Sequence, residues 1–169
     1  MPPKPVIIAA AALAIALVVA VAIIGLTAGG GEHQQQPKIE PLPLAAVDAP
    51  DADSPECVRL MKELPQSLES GGQTLQRREL ADPAPEAAAA WGVENPVVVR
   101  CGLHKPADLK PTSQVVEIDG VRWFQATDPG ASTWYVVGTP VTVAVTLPQG
   151  SGTGIVQDLA KAVTAAMPG

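Results

Sequence analysis

Histidine, cysteine and aromatic side chains are scarce in this 169-residue chain, which has two histidines, two cysteines, three tryptophans, one tyrosine and one phenylalanine. The scarcity narrows the chemistry. A hydrolase built on a nucleophile and a base would have to draw a histidine base from His33 or His104. His33 lies in a polar linker with no second ligand beside it, and Cys101-Gly102-Leu103-His104 is half a metal site at best. There is no Gly-x-Ser-x-Gly, no phosphate-cradling loop, no Cys-x-x-Cys and no pair of histidines at metal spacing, so neither a metal nor a cofactor is expected. Acids are missing from the first 31 residues, where Lys4 is the only charged side chain.

What fills that stretch is an apolar run, Val6 to Ala28. At a rise of about 1.5 Å per residue it makes roughly 34 Å of helix, enough to cross the hydrocarbon core of a bilayer. Signal-peptide apolar regions are shorter, and Leu26 stands where cleavage before Gly29 would need a small residue. A permanent anchor is therefore preferred to a cleaved signal. Lys4 and the free amino terminus keep residues 1–5 in the cytoplasm, so the rest of the chain is expected outside the plasma membrane. Gly25 and Gly29 form a small-xxx-small pair, a spacing that also arises by chance in so alanine-rich a segment.

Beyond the run, residues 29–54 carry a Gly-Gly-Gly and Gln-Gln-Gln stretch and then Pro37, Pro41, Pro43 and Pro50, which reads as a flexible tether. As a coil it would span roughly 28 Å. Residues 55–169 remain for one small extracytoplasmic domain. Ten of the eleven basic residues and all seventeen acidic ones lie beyond the span. This acidic balance argues against nucleic acid as a partner and against lying flat on anionic lipid. The bilayer itself, met through residues 6–28, is the expected membrane partner.

Both cysteines, Cys57 and Cys101, fall in what should be an oxidising compartment, and a disulfide is preferred to two free thiols. Ser54-Pro55-Glu56 supplies a capping hydroxyl, a proline for the first turn and an early acid, so a helix is expected to about Leu64, burying Cys57, Leu60, Met61 and Leu64. A second helix is expected over Ala84 to Trp91, ending at Gly92. Then the period changes. Pro96–Cys101 reads as a strand; Gln114–Ile118 and Val121–Gln125 flank Asp119-Gly120, a hairpin turn pair; Thr133–Val137 and Val141–Leu147 read as two more strands. Ile155 to Met167 carries a helical apolar stripe. The expected fold is α+β: a small, mostly antiparallel sheet of about five strands with flanking helices, preceded by one transmembrane helix.

Cys57 with its leucine-rich helix, Ala90-Trp91-Gly92, Val99-Arg100-Cys101-Gly102, Pro111-Thr112-Ser113, Asp119-Gly120-Val121-Arg122-Trp123 and the strand from Pro140 to Leu147 together resemble domain-of-unknown-function family 3515 of the actinobacterial envelope. The resemblance covers roughly Cys57 to the C-terminus. It implies a single-pass or secreted protein with one small domain and no assigned activity, and it gives no role to His104.

Among candidate sites, Glu117 and Asp119 could form the carboxylate pair of a glycosidase, with Glu94 a third acid, but two acids beside a hairpin turn are ordinary solvated residues. Arg122, Trp123, Trp134 and Tyr135, with Phe124, make an aromatic contact surface if they face outward and a core if they face inward. Arg77, Arg78 and Arg100 read as a solvated face. The preferred reading is a non-catalytic, membrane-anchored accessory or binding module of the cell envelope, contacting another envelope or membrane protein or a cell-wall polymer. Its rivals are an envelope hydrolase with a carboxylate-based site and an accessory subunit of a larger membrane complex.

Overall fold

A computed structural model describes residues 39–167, leaving out the Asp128 side chain. The apolar run Val6 to Ala28, Lys4, the Gly25/Gly29 pair, His33 and the first part of the tether lie outside the described residues. No helix among the described residues is long and apolar enough to cross a membrane.

Helix α1 (Pro55–Glu63) begins as its sequence dictates, with the Cys57 amide donating to Ser54 Oγ at 3.3 Å and Pro55 in the first turn. Eight strands follow: β1 (Ser67–Ser70), β2 (Gln73–Arg78), β3 (Ala88–Trp91), β4 (Val97–Leu103), β5 (Val116–Ile118), β6 (Val121–Asp128), β7 (Ala131–Val137) and β8 (Thr142–Pro148). Helix α2 (Gly154–Ala166) closes the chain, on the stripe expected for it. The strands form one sheet in the order β1-β2-β3-β4-β8-β7-β6-β5, every neighbour antiparallel. The α+β class holds, with eight strands in place of about five. Asp119 and Gly120 take the positive φ values, 48° and 78°, that the hairpin turn requires.

The helix expected over Ala84 to Trp91 is instead a turn followed by β3. Pro83 and Pro85 withhold amide hydrogens, and Ala87 has a positive φ of 47° that breaks any helical path into the alanines. Pairing of Ala88–Trp91 with Val97–Arg100 then overrides the helix preference of alanine, burying Ala89, Ala90 and Trp91. The β1–β2 hairpin went unpredicted because each strand carries one apolar residue, Leu68 and Leu75, too few to show alternation.

Both helices cover the same face of the sheet, packing on each other, and α2 touches β1 at one edge as well as β5 and β6 at the other. Seven interstrand spacings of about 4.8 Å would span roughly 34 Å if flat, while α2 is only about 20 Å long, so the sheet must curl around its helices. The core inside that curl joins Leu60, Leu68, Trp91, Val99, Trp123, Val143, Ile155 and Leu159. The disulfide Cys57–Cys101 ties α1 to β4 across 44 residues.

The second part of the expected tether is not a free linker. Leu42 bridges Leu80, its amide and carbonyl bonding Glu79 and Ala81, and the Asp51 amide donates to the Gly102 carbonyl at 3.1 Å. Residues 39–54 are thus a strap held beside Leu80, just after β2, and at Gly102 of β4. Gly102, at φ 85°, admits the strap: a Cβ there would lie 2.3 Å from the Ala52 nitrogen. At the far end His104 Nε2 meets Asp48 Oδ2 of the strap at 3.0 Å, both well exposed.

Candidate functional site

Alternation sorts the aromatic residues between the two sheet faces. Trp123 pairs with Val136 and Trp134 with Val145 on the helix side, where the tryptophans are 0% and 9% exposed. Neither can present a contact surface. Arg122, Phe124 and Tyr135 point to the opposite, helix-free face: Arg122 is exposed, and the Phe124 and Tyr135 rings lie half-buried with centroids 6.3 Å apart. The expected patch is therefore reduced from Arg122, Trp123, Trp134 and Tyr135 to Arg122 and Tyr135, joined by Phe124.

A larger feature lies where the sheet splits. β2 and β3 pair only at Arg77–Trp91 and Arg78–Ala90, so the β1–β2 hairpin diverges and leaves a cleft of about 770 Å³. Its walls are β2 and Glu79, the β3–β4 turn from Gly92 to Asn95, the segment from Pro148 to Ser151 and the start of the strap at Ile39 and Glu40. Gln73, Gln76, Asn95 and Gln149 supply exposed carboxamides to these walls, and Ser70, Thr74 and Ser151 supply hydroxyls. Leu75 and Val93 add apolar surface.

The two arginines at the split are fastened rather than solvated. Arg77 donates from Nη1 to the Met61 and Leu64 carbonyls, each at 3.4 Å, and its guanidinium carbon sits 5.7 Å from the Trp91 ring centroid. It thereby satisfies carbonyls left open at the C-terminal end of α1. Arg78 donates to the carbonyls of Val93 at 3.2 Å, Gly92 at 3.5 Å and Glu40, joining β2, the β3–β4 turn and the strap. Arg100 is half-buried on the helix-free face, and loss of solvent pulls its guanidinium below its ordinary pKa. None of the three is the open solvated cation expected.

Of the candidate acids, Glu94 lies in the cleft with Glu79 and Glu40, all three exposed. Glu117 and Asp119 stay on the β5–β6 hairpin at one edge of the sheet, so the pair read from the sequence does not meet Glu94. No group of three or more potential metal ligands occurs among the described residues. The carboxamides and hydroxyls of the cleft were missed because such residues, scattered over β1, β2, the β3–β4 turn and the segment after β8, carry no period. The Gly71-Gly72 turn, at φ 57° and 80°, was the one signal that could have paired β1 with β2.

No curated protein and no solved structure matches the chain. The model of the family described as protein of unknown function (DUF3515) matches residues 11–169, and the chain belongs to that family.

Proposed function

We propose that this chain is a membrane-anchored, extracytoplasmic binding module of the cell envelope that takes a neutral, hydroxyl-rich polymer in the cleft between β2 and β3. The observation that carries this reading is the chemistry of the cleft lining. Carboxamides and hydroxyls both donate and accept hydrogen bonds, as the hydroxyls of a saccharide do. A volume of about 770 Å³ falls in the range of ligand sites. The guanidiniums of Arg77 and Arg78 are engaged with backbone carbonyls, so Glu40, Glu79 and Glu94 set the charge and disfavour a polyanion. Placement outside the plasma membrane rests on the apolar run Val6 to Ala28 and on Lys4 before it.

The test is titration of the purified full chain with neutral oligosaccharides released from envelope polymer. Combined replacement of Gln73, Gln76 and Asn95 by alanine should weaken binding about tenfold or more. Binding that survives those replacements unchanged removes the cleft from the reading. For topology, a Gln35→Cys variant should be labelled in intact cells by a membrane-impermeant thiol reagent, and protection until lysis would reverse the orientation.

The carboxylate-based hydrolase keeps one specific support, Glu94 with Glu40 and Glu79 in the same cleft. Release of shortened saccharide by the wild type, abolished in Glu94→Gln, would select the enzyme. Binding without product selects the module.

A further inference from the structure

Arg100 stands on β4, an interior strand, between two alanines: Ala88 opposite it on β3 and Ala144 opposite it on β8. These small neighbours leave room around its side chain on the helix-free face. The strap passes beside it, and Ala46, Val47, Ala49 and Ala52 of the strap, with Pro85, Glu86, Cys101 and Leu103, line an open surface pocket of about 230 Å³ that Arg100 also lines.

The other described arginines are accounted for. Arg59 pairs with Glu56 at 2.9 Å and donates to the Ala166 carbonyl at 3.0 Å; Arg77 and Arg78 hold backbone carbonyls; Arg122 is open to solvent. Arg100 differs. It is half-buried, yet among the described residues no hydrogen bond and no ion pair reaches its guanidinium. Its nitrogens keep solvent access and so stay open to a ligand, and a guanidinium presents its five N–H donors as a planar fork shaped for two oxygens of one anion.

We propose that the pocket beneath the strap is a binding site for a small monocarboxylate with a short apolar stem, its carboxylate seated on Arg100 and its stem against the alanines, Val47, Pro85 and Leu103. The size sets the first limit: about 230 Å³ lies below the usual range for drug-sized ligands and suits a short acid or the last residue of a peptide. Charge sets the second. Glu86 in the wall and the acidic balance of the domain penalise a dianion such as phosphate more than a monoanion. The charge of a bound anion would offset the desolvation that lowers the Arg100 pKa. The site is separate from the β2–β3 cleft and shares no lining residue with it.

The experiment is calorimetric titration of the purified full chain with butyrate, with N-acetyl-alanyl-alanine, with butyramide and with inorganic phosphate. Saturable binding of butyrate or the peptide, with butyramide and phosphate at least tenfold weaker, supports the site. Butyrate binding alone identifies a free acid as the source, and preference for the peptide identifies a chain terminus. Arg100→Gln should weaken the favoured ligand about 10- to 100-fold, and Arg100→Lys, which keeps the charge without the fork, should fall between. Should Arg100→Gln fail to fold, Val47→Trp is the second variant: it leaves Arg100 in place, fills the pocket from the strap and should abolish binding. Three results overturn the proposal: no saturable binding of either carboxylate, equal binding of butyramide or phosphate, or binding indifferent to these substitutions.

Discussion

The two ends of the sheet are built from different kinds of residue. From β5 to β8 the inward positions are valines, leucine and tryptophans, and each strand holds the next along most of its length. From β1 to β3 the strands are mostly serine, glutamine, glutamate, arginine and alanine, with Leu68, Leu75 and Trp91 their few large apolar residues; β2 meets β3 at two positions, and side chains complete the joint. Arg77 reaches to α1, Arg78 to the β3–β4 turn and the strap, and the disulfide joins α1 to β4. Burial along whole strands organises one half, whereas in the other a smaller core of Leu68, Ala89 and Trp91 is supplemented by a cross-link and cation-to-carbonyl bonds. The half that spends fewer side chains on a core has them left over to line a cleft.

The largest effect should therefore come from the cross-link. Closing a loop with a separation of 44 residues is worth roughly 4 kcal/mol on the chain-entropy account. Reduction, or the pair Cys57→Ala and Cys101→Ala, should lower the urea midpoint of the domain by that measure. Hydrogen exchange should rise first in α1 and in β1 to β3, while the β5–β8 meander keeps its protection; uniform loss of protection would dissolve the distinction between the halves. Next comes Arg77→Met, which strips two carbonyls and the Trp91 face of their cation and should cost about 2 kcal/mol. Arg122→Met in the other half should stay within about 0.5 kcal/mol, because the guanidinium there is exposed. Equal costs for the two arginines would refute the arginine-held joint.

The same contrast decides how much could be read in advance. Asp119-Gly120, the alternating Val141, Val143, Val145 and Leu147, and Ser54-Pro55 ahead of Cys57 each obey a local rule that tertiary structure left intact, so β5, β6, β8 and α1 were legible. Cys57 and Cys101 were legible as a pair because only two cysteines exist. β1 and β2 were not, since Leu68 and Leu75 stand alone among polar residues. β3 was misread because alanine favours helix when nothing pairs with it, and the pairing comes from distant strands, β4 along its whole length and β2 at two positions. The cleft depends on where β2 leaves β3, a property of register that no single segment encodes. Trp123 and Trp134 could be placed on one face by alternation, but which face was buried became visible only with α2 laid against the sheet.

The smallest expected difference is the sharpest comparison, because it sets one indole from each half against the other. Trp91 and Trp123 are both 0% exposed, so replacing either by phenylalanine removes a similar volume from the same core. Their polar ends differ. Trp91 Nε1 donates to the Pro65 carbonyl at 3.0 Å, fastening β3 to the segment after α1, whereas Trp123 Nε1 is buried with no hydrogen-bond partner among the described residues. Trp91→Phe therefore loses a bond and leaves the Pro65 carbonyl without that donor, while Trp123→Phe removes an unsatisfied donor whose burial was itself unfavourable. With the cavity contribution common to both, Trp91→Phe should be more destabilising than Trp123→Phe by about 1 to 2 kcal/mol, measured as a difference in urea midpoints at equal slope. A result with the order reversed would mean that Trp123 gains more from its packing against α2 than it loses at its nitrogen, and that the β5–β8 half depends on close packing more than on apolar burial alone.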